Sequence, residues 1–294
     1  MIELRPTAPA TLMQSFAGDV YNTAVYFRRL SPQWPSQFIS CVGEDHVSDA
    51  LMLDAGSHGL DTTLIRRVAD RHPGLYWITT SASGERSFLY WRGFSAARMM
   101  LDENQEIRLR SCLADCGLFY FSGITLSILQ EPQRERLLNL ASDIRSAGGI
   151  VAFDSNYRAS LWESKEAAVD WSLAASRTAS HLLVTEDDEA ALHGDATPAD
   201  TLARALELGA VEVVVKMGAR GCLLQSEAMD EALRVPAVQA NVVDTTAAGD
   251  SFNAAYLAAR TRGLSPLEAA RSGCSLAARV VAFPGAIIPA DAMP

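Results

Sequence analysis

Residues 117–154 read GLFYFSGITLSILQEPQRERLLNLASDIRSAGGIVAFD: a short apolar run, a longer amphipathic stretch, and a second short apolar run. The same rhythm continues through HLLVTE (181–186) to VEVVVKMG (211–218). Almost continuously apolar strands such as 150–153 and 211–215, alternating with helical stretches, are what a mainly parallel sheet covered on both faces requires. Each apolar run stops at a polar cluster: Ser122-Gly123, Asp154-Ser155-Asn156, Thr185-Glu186 and Lys216-Met217-Gly218. Ligands of such sheets collect beyond the carboxyl ends of the strands, so these clusters mark one candidate binding edge.

The N-terminal hundred residues carry a different pattern. PGLYWITT and RSFLYW are separated by SASGE, the spacing of an antiparallel hairpin, and Phe88 and Tyr90 share one face of its second strand with Arg86 and Arg92. With no internal repeat and no linker, the simplest expectation is a single domain over 1–294 with a small β excursion, its strands within about 3–18 and 74–101.

Composition narrows the function. The 294 residues are 49% hydrophobic and 20% charged, and the net charge of −10 argues against the basic face that a nucleic-acid partner demands. The longest apolar candidate for a membrane span, 118–129, is interrupted by Ser122, Gly123, Thr125 and Ser127. The N-terminus lacks a secretory pattern, so the expected location is the cytoplasm, with no membrane partner. Five scattered cysteines read as reduced, mostly core residues, and the five histidines have no metal-ligand spacing, so no metal-ligating residue is assigned.

The densest chemical signal is VVDTTAAGD (242–250), running into the Ala-rich SFNAAYLAARTRG. A helix that starts here offers first-turn amides and the positive end of its dipole to an anion. Ala247, Ala248 and Gly249 leave room for a phosphoryl group, and Asp250 can accept a proton from an attacking hydroxyl. The competing account makes Asp250 an N-cap and the small residues packing spacers.

The longer string resembles the D-T-x-G-A-G-D signature of the ribokinase-like (PfkB) carbohydrate kinase family, with Ala247 in place of its first Gly. FAGDVYNTAVYFRRL, SGI, FDSNYR and VVVKMGARG extend the resemblance over most of the chain. It implies an α/β ribokinase-like fold, a mainly parallel central sheet with helices on both faces, and a small β-sheet lid. In the family an interior strand precedes the segment resembling Met1-Ile2-Glu3-Leu4, so the expected sheet lacks its first strand.

The resemblance implies ATP and Mg2+ as cofactors, and Asp250, Gly249, Ala248 and Ala247 as the catalytic turn. Lys216, Gly218, Gly221, Thr246 and Gly249 would lie against the nucleotide. Gly18, Asp19 and Asn22 would touch sugar hydroxyls, with Tyr76, Tyr90 and Arg92 covering the sugar from the lid. PGLYWI, GERSFLYWR, DSNYR, DTTAAGDSF and GAIIP are most similar to the members that act on 2-keto-3-deoxygluconate, which makes Arg158 the fork for a sugar-acid carboxylate. Glu189 would act on Mg2+ and phosphate through water, with Glu186 standing where the family has Asn. The resemblance also implies a homo-oligomer, a dimer or larger.

Local alternatives stand beside these roles. Asp19 and Asn22 cap a helix, Phe88 packs on a core or a second subunit, Arg158 makes a surface salt bridge, Gly218 and Gly221 bracket a hairpin turn, and residues 186–189 are a charged first helical turn. The alternative activities are phosphorylation of fructose or a nucleoside, or non-catalytic binding of a sugar or nucleotide. No P-loop or G-x-G-x-x-G string occurs.

Overall fold

The computed structural model describes every residue except 9 and 81–85, so the SASGE connection lies outside the described residues. The chain divides into two compact units, Met1–Met100 and Leu101–Pro294.

The first unit contains β1 (Ile2–Ala8), β2 (Thr11–Phe16), α1 (Asp19–Leu30), β3 (Ser40–Val42), α2 (His46–Ser57), β4 (Ile65–Arg67), β5 (Leu75–Thr80) and β6 (Arg86–Trp91). The strands expected within 3–18 and 74–101 form one four-stranded sheet in the order β2-β1-β5-β6, with only the β1–β5 pair parallel. Strands β3 and β4 make a separate parallel pair that the sequence pattern does not reveal. Val42 of β3, Ile65 of β4 and Leu51 of α2 form a small core, with Phe16, Phe38 and Met52 packed against it. Helix α2 starts where the Asp45 carboxylate accepts the Val47 and Ser48 amides, which have no partner inside the helix.

The second unit contains α3 (Glu103–Cys112), β7 (Leu118–Ser122), α4 (Gly123–Ile128), α5 (Glu131–Ser146), β8 (Ile150–Asp154), α6 (Lys165–Thr178), β9 (His181–Thr185), α7 (Glu186–His193), α8 (Pro198–Glu207), β10 (Glu212–Lys216), β11 (Cys222–Ser226), β12 (Leu233–Val235), α9 (Ala248–Thr261) and α10 (Pro266–Val280). Its sheet runs β12-β11-β10-β9-β8-β7; β7 to β10 are parallel, while β11 and β12 turn back antiparallel. Strand β7 is one edge of this sheet.

Val151, Ala152 and Phe153 are all fully buried, as are Val213, Val214 and Val215. Successive strand residues point to opposite faces, so both faces are covered, as their apolar runs demand. Helices α5 and α6 pack on β8, α8 on β10 and β11, and α10 on β11 and β12. Among the described residues no helix is long and apolar enough to cross a membrane. All five cysteines are free thiols; Cys41, Cys222 and Cys274 are buried, whereas Cys112 is exposed and Cys116 half-buried.

Candidate active site

The turn into α9 is built by Asp244, a buried carboxylate. One of its oxygens accepts the Thr246 amide at 3.0 Å and the Thr246 hydroxyl at 2.7 Å, and the other accepts the Gly285 amide at 2.6 Å. Thr246 is thereby fixed as part of the turn. Ala247 is the N-cap, in a left-handed conformation at φ +61°, and its carbonyl accepts the Ser251 amide at 2.9 Å. Asp250 therefore lies inside the first helical turn instead of capping it, and it is half-buried. That position places Asp250 in the turn whose amides lack i−4 carbonyls within the helix.

Under this turn lies a buried polar cluster. Lys216, the last residue of β10, donates from Nζ to Asp154 Oδ2 at 2.7 Å and to Asn253 Oδ1 at 3.0 Å. Asn253 Nδ2 donates to the same Asp154 oxygen at 2.7 Å and to the Tyr120 hydroxyl at 3.1 Å. A side-chain carbon added at Gly249 would stand 3.4 Å from Lys216 Nζ, so the ammonium sits directly against the turn. Lys216 thus lies against the turn into α9, with its charge balanced by Asp154.

Beyond β8, Asn156 adopts a left-handed φ of +34° and its amide donates to Asp154 Oδ1 at 3.3 Å. The following Arg158 is half-exposed and donates from Nη1 to the Tyr157 carbonyl at 2.7 Å and to Asp188 Oδ1 at 3.2 Å. Burial pushes the Asp188 carboxyl above its usual range, against the pull of Arg158. Of the acidic run 186–189, Glu189 is the buried member: burial raises its carboxyl while Ser155 and Arg204 oppose, and Arg204 Nη2 donates to it at 2.6 Å. Glu186 pairs instead with Arg220.

Gly218 and Gly221, both at positive φ, close the hairpin from β10 to β11. Gly221 is obligatory, because a side-chain carbon there would lie 2.0 Å from the Val235 carbonyl oxygen. The hairpin-turn reading therefore holds locally, and the close neighbour of Gly221 is the chain's own backbone at Val235, Pro236 and Ala237.

In the first unit, Gly18 is the N-cap of α1, Asp19 is its first residue, and the buried Asn22 accepts the Gly18 amide at 3.3 Å. No side chain caps the helix from the Gly18 position, so Asp19 is a first-turn acid. Ser15, Glu3, Tyr76 and Tyr90 align across the four strands. Tyr76 is buried and donates its hydroxyl to Glu3, whose other oxygen accepts from Ser15 at 3.1 Å. Tyr90 is exposed, with the Arg92 guanidinium 4.1 Å from its ring centre. Phe88 is 6.2 Å from both tyrosine rings.

Sequence reasoning puts Asp154 on the binding edge without a role there, and it does not single out Asn253 or Asp188 as partners of the site. Among the described residues no three His, Cys, Asp or Glu side chains converge as a metal cage.

A helix start whose first-turn amides lack partners within the helix, a carboxylate within that turn and a lysine beneath it, on the carboxyl edge of a parallel sheet, are equipment suited to a phosphotransferase. The profile of the pfkB family carbohydrate kinases matches residues 3–293. The chain is 43% identical over 301 residues to the 2-dehydro-3-deoxygluconokinase of Escherichia coli K12, covering 100% of this chain and 96% of that protein. Among solved structures it is similar to the PfkB protein of Polaromonas sp. JS666 (TM-score 0.83, 26% identity, 96% of this chain and 93% of that one). The Xylella fastidiosa fructokinase with bound ATP shares the fold at TM-score 0.84 and 22% identity, covering 100% and 92%. The chain belongs to the pfkB carbohydrate kinase family and is a kinase.

Proposed function

We propose that the chain transfers the γ-phosphoryl group of ATP to the 6-hydroxyl of 2-keto-3-deoxy-D-gluconate (2-dehydro-3-deoxygluconate), giving the 6-phosphate and ADP. The observation that carries the reading is the full-length similarity to a 2-dehydro-3-deoxygluconokinase, and the exposed Arg158 fork agrees with it.

Asp250 removes the proton as the hydroxyl oxygen bonds to the γ-phosphorus and the bond to the ADP oxygen breaks. The first-turn amides of α9, with Lys216 beneath them, stabilise charge on the transferred oxygens. Gly249 fits this role, since its bare backbone leaves the phosphoryl group access to the turn. Mg2+ bound with ATP would supply charge neutralisation at its phosphates.

Arg158 holds the sugar-acid carboxylate. Gly218, Gly221 and Thr246 lie against the nucleotide. A soluble homo-oligomer working in the cytoplasm completes the reading.

ADP formation measured against 2-keto-3-deoxygluconate, gluconate, fructose and ribose tests it. Turnover highest on 2-keto-3-deoxygluconate is expected, and Arg158→Ala should weaken that substrate by about tenfold or more while sparing neutral sugars. Preference for fructose or ribose, or equal losses on acid and neutral sugars, would overturn the assignment.

A further inference from the structure

We propose that Asp154 is a positioning residue serving both halves of the transfer, one carboxylate oxygen fixing the turn that carries Arg158 and the other holding the lysine beneath the turn that carries Asp250. The inference rests on the function proposed above.

The two oxygens have separate partners. Oδ1 accepts the Asn156 amide at 3.3 Å, at a residue whose left-handed backbone a non-glycine side chain rarely adopts without such support. Oδ2 accepts Lys216 Nζ and Asn253 Nδ2, each at 2.7 Å. Asn253 belongs to α9, three residues past Asp250, so this second set joins the ends of β8 and β10 to the phosphoryl-binding helix. Asp154, Lys216 and Asn253 are 3%, 7% and 0% exposed, so water does not substitute for any of these partners.

A buried ion pair contributes little net stability compared with an apolar pair of similar volume, because desolvation offsets the attraction. What it supplies is a fixed geometry and an unquenched hydrogen-bond direction. Here the positive charge is held against Gly249, where it reinforces the helix N-terminus, and the carboxylate keeps that charge from being left alone in the interior. A residue acting on one oxygen only would influence one substrate; Asp154 should influence both.

The test is steady-state kinetics with 2-keto-3-deoxygluconate and MgATP on the intact chain and its variants, with thermal melting of each. Asp154→Asn should lower kcat by about tenfold or more and raise KM for the sugar acid by about fivefold or more. Lys216→Met should lower kcat similarly while leaving that KM within about twofold. A merely structural role would lower the melting temperature and leave both constants of the folded protein in place; that result overturns the proposal, as does an equal rise of KM in Lys216→Met. Should Asp154→Asn not fold, Asp154→Glu keeps the charge but misplaces the oxygens, and kcat and KM within about twofold of the parent would refute the role.

Titration with ATP and ADP in the absence of sugar separates this proposal from the choice of substrate. An unmodified protein inert on 2-keto-3-deoxygluconate defeats the substrate assignment. The Asp154 proposal then stands if Asp154→Asn and Lys216→Met lose affinity for ATP about fivefold more than for ADP, and falls if the ratio is unchanged.

Discussion

Gly123 opens α4 at the end of β7, and a side-chain carbon placed on it would lie 1.9 Å from the Ser155 carbonyl oxygen. Contacts of this kind are essentially never under 3.0 Å, so Gly123→Ala must open the gap by about 1 Å. Two elements can give. Helix α4 is tied to β7 by the reciprocal Ser122–Thr125 cap, whereas Ser155 belongs to the short turn between Asp154 and Arg158. The turn should yield, carrying Arg158 with it. Overpacking of this size costs about 1–3 kcal/mol, or several degrees of melting temperature in a chain this long. Misplacing a binding group by about 1 Å can cost up to about a hundredfold, so KM for the sugar acid should rise by between about tenfold and a hundredfold. Initial rates at saturating MgATP, with melting curves on the same preparations, measure both. A KM within about twofold of the parent, in a variant that is clearly destabilised, would mean that α4 moved instead and that the turn does not position Arg158.

Asp250→Asn should lower kcat by about a hundredfold to ten-thousandfold while sugar and ATP affinities by calorimetry stay near the parent; retained turnover would remove Asp250 as the base. Ala247→Gly relieves a left-handed alanine, worth about 1–2 kcal/mol, against the greater freedom of glycine in the unfolded chain, about 0.4–1 kcal/mol. Denaturant melts should therefore show equal or slightly greater stability, and a clear loss would refute the strain at that position. Burial, reinforced by Arg204, lowers the His193 imidazole from its ordinary 6.5 to about 4. The unfolded chain takes up that proton below pH 6.5 and the folded chain only near pH 4, so this contribution is complete above 6.5 and lost as pH falls between the two. The loss should total about 1–2 kcal/mol, and His193→Gln should flatten that part of the stability profile measured by urea melts from pH 7 to 4.

The alternation of apolar runs and helical stretches made β7 to β10 legible, because strands buried on both faces are mostly apolar; the buried polar pair His181 and Glu212 sits where β9 and β10 begin. Strands β3 and β4 have three residues each, too few for any periodicity, and only their parallel pairing defines them. The place of Asp250 was readable from its neighbours in sequence, since a helix start is a local event. The left-handed turn at Ala247 was not, because small replacing small looks neutral until the backbone angle is known.

Asp188 could not be told from its three acidic neighbours without the helix that turns Glu189 inward and leaves Asp188 toward Arg158. The polar strand ends were legible as a row: Ser122 pairs in register with Asp154, and Thr185 with Lys216. Which members of that row touch depends on side-chain length. Strand β9 separates β8 from β10, and its terminal Thr185 is short, so the long lysine of β10 can extend past it to the carboxylate of β8, 62 residues earlier in the chain. The order of strands in the sheet, which follows from crossover connections and not from any one segment, therefore decides the chemistry of the site. A shorter cation at position 216 would leave the Asp154 carboxylate buried without its counter-charge, and the same strands would then carry a different edge.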